Sequence, residues 1–225
     1  MGSKNKLKRF KENETFENVI QPEREEILSK DYYLRGKWAS DFFKNNKPLI
    51  LELGCGKGEY TVGLAKRYPD FNFLGIDIKG ARFWRGAKTA LEENITNAKF
   101  LRAQIELVDM IFAPNEVAEI WITFPDPQIK FQRTKHRMTN PTFLKKYHHI
   151  LQEDGIIHLK TDSEYMHGYT LGLIEGSNHE LLYAHHDIYS NGETPSELVE
   201  IQTFYEKQYL AKNKAITYTK FRLNY

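Results

Sequence analysis

The stretch Leu49–Gly58 reads Leu-Ile-Leu-Glu-Leu-Gly-Cys-Gly-Lys-Gly and constrains this chain more than any other. Its dense apolar run suits a buried strand of a parallel sheet, and the alternating glycines at 54, 56 and 58 allow a tight turn with no Cβ in the way. The spacing narrows what lies against that turn. A dinucleotide fingerprint needs a third glycine at position 59, where this chain has Glu59. A P-loop needs Ser or Thr after its Gly-Lys pair, and here Gly56-Lys57 is followed by Gly58-Glu59. Asp77 comes 25 residues after Glu52 and closes the apolar run Phe73–Ile76. A carboxylate at such a strand end can accept both ribose hydroxyl protons of an adenosine.

Apolar runs and helical patterns alternate along the chain. Strands are expected at 71–76, 99–102, 119–124, 156–160 and 180–183, and a β-like segment at 215–221. Helices are expected before Pro48 and at 60–67, 81–93, 105–112, 141–151, 164–175 and 196–211. This is the pattern of an α/β fold with a mostly parallel sheet, right-handed crossovers and helices on both faces. Residues 31–225 read as one domain, and residues 1–30, polar and without sustained periodicity, as a mobile arm. Asp77, Asp126 and Asp162 all fall at predicted strand carboxyl ends, where open α/β sheets bind ligands, so the three are expected to gather.

Charge matters through its distribution, since the net value is only +2. Lys4, Lys6, Lys8, Arg9 and Lys11 open the chain without an intervening acid, and Lys130, Arg133, Lys135 and Arg137 form a second cluster. Glu193, Glu197 and Glu200 lie elsewhere, which suits a polyanion on one side of the molecule. The single cysteine, Cys55, leaves no internal disulfide and fits a reducing compartment. No apolar stretch approaches the ~20 residues that span a bilayer, and the opening residues lack the apolar core of a secretory signal. The expected location is the cytoplasm, with no membrane partner. His148-His149 and His185-His186-Asp187 match no metal-binding spacing, so no metal is expected. Trp38, Trp84 and Trp121 are expected in or near the core, and Tyr165 and Tyr169 to share a packing face.

Two further motifs carry chemistry. Phe124-Pro125-Asp126-Pro127 leaves its strand as a stiff turn that holds Asp126 in one place, with the basic loop directly after it. Thr203-Phe204-Tyr205-Glu206 puts Thr203 and Glu206 on one side of the predicted last helix.

The Glu-x-Gly-x-Gly-x-Gly loop resembles the first motif of the class I S-adenosylmethionine-dependent methyltransferases, which have a Rossmann-like fold. With the Phe-Pro-Asp-Pro turn, the basic loop, Thr161-Asp162 and the Thr-x-x-Glu segment, the chain resembles the bacterial tRNA (guanine-N7-)-methyltransferases from the glycine loop almost to its C-terminus. The resemblance implies S-adenosylmethionine contacts at Glu52, Gly54, Gly56, Asp77, Gln104 and Asp126, with Asp126 also catalytic. It implies tRNA contacts at Lys130, Asp162, Thr203, Phe204, Tyr205 and Glu206. The chain departs from the family at Gln104, where an Asn or an acid is usual near the adenine, and at Gln128-Ile129, where relatives often carry Trp and then a proline or similar residue. A small-molecule methyltransferase would need neither basic cluster, and a non-catalytic RNA-binding module would not need Glu52, Asp77 and Asp126 together. Monomer and homodimer stay equally open.

Overall fold

Leu49–Leu53 is buried at every position, and its alternate side chains enter two different cores, as a central strand with helices on both faces requires. We describe a computed structural model covering residues 3–29, 32–190, 192 and 194–225, without the side chains of residues 3 and 4. The charges of Lys4 and Glu193 therefore lie outside the described residues.

In chain order the elements are α1 (Ser3–Asn13), β1 (Val19–Ile20), α2 (Arg24–Leu28), a π-helical turn (Trp38–Phe43), β2 (Leu49–Leu53), α3 (Glu59–Arg67), β3 (Asn72–Ile76) and α4 (Gly80–Glu92). There follow β4 (Ala98–Leu101), a 3-10 turn (Ile105–Leu107), α5 (Val108–Ile111), β5 (Val117–Thr123), a second 3-10 segment (Phe131–His136), α6 (Pro141–Ile150) and β6 (Leu151–Thr161). The chain closes with α7 (Glu164–Gly176), β7 (Glu180–His185), α8 (Ser196–Glu200), α9 (Phe204–Leu210) and β8 (Thr217–Arg222).

The strands pair in the order β1-β4-β3-β2-β5-β6-β8-β7, all parallel except β8, which runs antiparallel to both neighbours. This is the mostly parallel α/β sheet that the alternating pattern predicts, in the Rossmann-like class I form that the resemblance implies. Leu49, Leu51 and Leu53 pack toward the side that holds Trp38, Phe112 and Tyr147, while Ile50 joins Tyr60, Phe83 and Trp121 on the other. Trp38 and Trp121 are buried, and Trp84 is half-buried.

Three expectations change. First, the segment expected to be a mobile arm carries structure: α1 lies along α4, with Asn13 Nδ2 donating to Gly80 O (2.9 Å) and Arg9 4.6 Å over the Trp84 ring. Val19–Ile20 then adds a strand beside β4, so the boundary placed at residue 30 cuts through one sheet. Second, β6 begins at Leu151 instead of Ile156, pairing with Val117 across an irregularity between Val117 and Glu119. Third, the helix expected at 196–211 is broken into α8 and α9 at Ile201–Thr203. The break has a cause in the core: Lys160 Nζ, fully buried on β6, donates to Leu198 O (2.6 Å) and Ile201 O (3.3 Å), carbonyls that a continuous helix would use itself.

Candidate active site

The glycine turn wraps the end of β3. Gly54 N and Cys55 N both donate to Ile76 O (2.8 and 3.0 Å), and Gly58 N donates to Cys55 O (2.8 Å). Gly54, Gly56 and Gly58 all have positive φ, the region a side chain disfavours. At Gly58 there is also no room, since a Cβ would stand 2.5 Å from the Phe100 ring.

Asp77 ties the turn down from the neighbouring strand. Its Oδ2 accepts from Gly56 N (3.1 Å) and its Oδ1 from Lys79 N (2.8 Å). Each oxygen keeps a lone pair for a further donor. Asp77 lines a cavity of about 430 Å3 together with Gln104, Asp126, Gln128, Arg133 and His136. A space of that size over the carboxyl ends of β3, β4 and β5 suits a small cofactor.

Glu52 does not line this cavity. It is buried beneath the turn, where Oε2 accepts from Thr61 N (2.8 Å) and from the Thr61 hydroxyl, and Oε1 from Thr123 Oγ1 (2.6 Å). The residue expected at the cofactor thus joins α3 to the end of β5 and supports the turn from below. Burial pushes its carboxyl up to about 7, against the lowering effect of the two threonines. A folded value above the unfolded 4.5 means that the fold favours the protonated form; this contribution is fully present below 4.5 and is lost as pH rises through about 7. Glu52→Gln should remove the loss, on the order of 2–3 kcal/mol. The parent Tm is therefore expected to fall relative to the variant between pH 5 and pH 8, and parallel Tm curves would contradict this placement.

Gln104 faces a partner absent from the sequence reading. Its side-chain oxygen accepts from Arg24 Nη1 on α2. Arginine has no acceptor, so the amide oxygen is turned to Arg24 and the amide NH2 is left to donate. Gln104 thus lines the cavity with its amide NH2 available to a ligand acceptor.

Asp126 is exposed at the cavity, with Oδ1 accepting from Gln128 N (3.2 Å). Among the described residues its Oδ2 has no protein partner. The Pro-Asp-Pro segment is flanked by two positive φ values, Phe124 at 49° and Gln128 at 45°. Backbone strain of this kind, about 1–3 kcal/mol per residue, persists where the surroundings impose it. The imposing contacts are Phe124 N to Lys160 O (2.8 Å), Phe124 on the Tyr209 ring (5.9 Å) and Arg137, whose Nε and Nη2 donate to Gln128 O (3.1 Å) and Ile129 O (3.3 Å). Arg137 is buried, its guanidinium over Tyr165 (5.1 Å) and Tyr169 (4.6 Å), and so leaves the exposed basic cluster that the sequence suggested. Lys130, Arg133 and Lys135 remain exposed.

The expected gathering of three carboxylates is only partly realised. Asp77 and Asp126 share the cavity, whereas Asp162 lines a separate groove and is paired with Lys214 (2.8 Å). The Thr-x-x-Glu segment also divides. Thr203 caps α9, accepting from Glu206 N (3.1 Å), while Glu206 Oε2 accepts from Thr203 N (3.3 Å), a capping box. Glu206 is fully buried, with Oε1 2.7 Å from Lys160 Nζ and accepting from Tyr189 OH (2.8 Å). Thr203 and Glu206 therefore hold the segment, and only Phe204 and Tyr205 face solvent. Glu59 Oε2 accepts from Phe204 N (3.1 Å) and Lys57 lies over the Phe204 ring, so this segment abuts the glycine turn.

Among the described residues no cluster of three or more His, Cys, Asp or Glu side chains is placed to hold a metal, and no helix is long and apolar enough to cross a membrane.

A family model described as "Putative methyltransferase" matches residues 46–219. A curated tRNA (guanine-N(7)-)-methyltransferase of Christiangramia forsetii is 67% identical over 99% of this chain and 100% of its own length. Another, of Porphyromonas gingivalis, is 48% identical over 93% of this chain and 86% of its own. Among solved structures, the fold is similar to that of a 30S ribosomal A1408 methyltransferase from an uncultured bacterium, with a TM-score of 0.59, 21% identity, and coverage of 88% of this chain and 95% of that one.

Proposed function

The chain belongs to the tRNA (guanine-N(7)-)-methyltransferase family, and from that premise we propose that it transfers a methyl group from S-adenosylmethionine to N7 of a guanine in tRNA. The observation that carries the reading is the 67% identity over the full chain to a relative of that name. The cavity supports it: Asp77 and Gln104 line it together, so a ribose held by Asp77 would have its base within reach of Gln104, and a Cβ on Gly56 would meet nothing nearer than 4.0 Å.

When bound, S-adenosylmethionine supplies an electrophilic methyl on a sulfonium. Guanine N7 carries an in-plane lone pair and no hydrogen, so the N–C bond can form as the S–C bond breaks, with no base required. The protein's task is alignment, which can lower a barrier by roughly 7–11 kcal/mol at best. Asp126 would be repelled by O6 and N7, both acceptors, and so faces the Watson–Crick N–H groups of the guanine. From there its charge favours the positive charge growing on the purine. Lys130, Arg133 and Lys135 take backbone phosphates, and Phe204 and Tyr205 face the RNA across the glycine turn. We place this activity in the cytoplasm, the compartment its cysteine usage suits.

Incubation of the protein with labelled cofactor and bulk tRNA, followed by digestion to nucleosides, tests the reading. Label in 7-methylguanosine is expected. Label confined to another nucleoside, or none, would overturn it.

A further inference from the structure

Phe131 is the most exposed large apolar side chain among the described residues, at 91%, and Ile129 two positions before it is 64% exposed. Neither is on a loose loop. Arg137 grips the carbonyls of Gln128 and Ile129 while stacked on Tyr165 and Tyr169, and Thr134 Oγ1 donates to Phe131 O (2.7 Å). Asn140 Nδ2 closes the other end, donating to Lys135 O (2.9 Å) and Arg137 O (2.8 Å). The frame fixes the 3-10 segment Phe131–His136 and holds Phe131 in water, where an aromatic ring gains nothing from folding.

The surroundings say what would cover it. Lys130, Arg133 and Lys135 lie within four residues of Phe131 along the chain, all exposed, and Arg133 and His136 line the same cavity as Asp126. An apolar protein partner would have to bury those charges, whereas a single-stranded nucleic acid offers a flat base to the ring and phosphates to the cations in one contact. We propose that Phe131, with Ile129 beside it, is a stacking platform for an unpaired base of the RNA substrate, next to the guanine that enters the cavity. This rests on the tRNA reading above. A fixed platform on the segment whose Gln128, Arg133 and His136 line the cavity would hold a base out of the RNA stack and help expose its neighbour to Asp126.

The test is tRNA binding across a range of salt concentrations, with Phe131→Ala, Phe131→Trp and Lys130→Ala beside the parent. Phe131→Ala should weaken binding about tenfold or more without changing the salt slope, because stacking releases no counterion. Phe131→Trp should restore parental affinity or exceed it, and Lys130→Ala should lower the slope by about one. Parental affinity in Phe131→Ala, a lowered slope in that variant, or no rescue by Trp would each overturn the platform. The nucleoside digest separates the two readings: a parent that makes 7-methylguanosine while Phe131→Ala binds as well as the parent removes the platform alone, and a parent that makes none removes both.

Discussion

Glu206→Ala is expected to destabilise the fold by about 3–5 kcal/mol, because it leaves the Lys160 ammonium buried without its counter-charge. Both side chains are fully buried, and Glu206 also accepts from Tyr189 OH and closes the capping box with Thr203. Burial already pulls the Lys160 ammonium down to about 8, against Glu206, which favours the charged form. The folded value lies below the unfolded one near 10.5, so this contribution is present above 10.5 and lost as pH falls through about 8. Without Glu206 the folded lysine loses its proton still more readily. The deficit of the variant should therefore be largest at pH 7 and shrink toward pH 9.5. Urea denaturation at the two pH values measures it. Replacing both residues with apolar ones, Lys160→Met with Glu206→Leu, should recover part of the loss, as buried pairs often do. An equal deficit at both pH values would mean that the capping contacts, and not the ion pair, account for the cost. Glu206→Ala should also loosen the exposed Phe204 and Tyr205 while the glycine turn stays in place.

The glycine turn and the strands around it were legible because their constraints are local. Three glycines at fixed spacing demand positive φ whatever lies far away, and strands buried on both faces announce themselves as apolar runs. Asp77 and Asp126 could be placed for the same reason, since a strand end is a position in sequence as well as in space. Features decided by partners distant in sequence were hidden. Nothing around Arg24 indicates that it meets Gln104, and α1, exposed along much of its length, is held by contacts to α4 that its own composition does not announce. Lys160 did leave a trace, a charged residue at the end of the run Ile156–Lys160, but its partner lies beyond two helices and a strand. Thr203-x-x-Glu206 shows the limit most clearly. The same four residues match the motif that the resemblance assigns to substrate and form a capping box, and only burial separates the two readings: the ends of the motif cap α9 while its middle faces outward.

Asp126→Asn is expected to slow methyl transfer on the order of 10²-fold or more, the effect of removing one preorganised contact to transition-state charge. The substitution keeps the size of the side chain and an acceptor for Gln128 N, and the residue is exposed, so the fold should be unaffected. The strained turn is held by Phe124 and Arg137, neither of which touches the carboxylate, so its position should persist as well. Cofactor affinity should change much less than rate, because Asp77 and the glycine turn remain intact. The loss should also persist at saturating tRNA, since it concerns charge developing during transfer and not encounter with the RNA. The central claim is that the cavity shared by Asp77 and Asp126 is where guanine N7 meets the methyl group, and single-turnover methylation of tRNA at saturating cofactor tests it most directly. The account predicts that Asp126→Asn binds tRNA as the parent does yet forms 7-methylguanosine at least about 10²-fold more slowly; a variant that matched the parent rate would contradict it and move the chemistry away from Asp126.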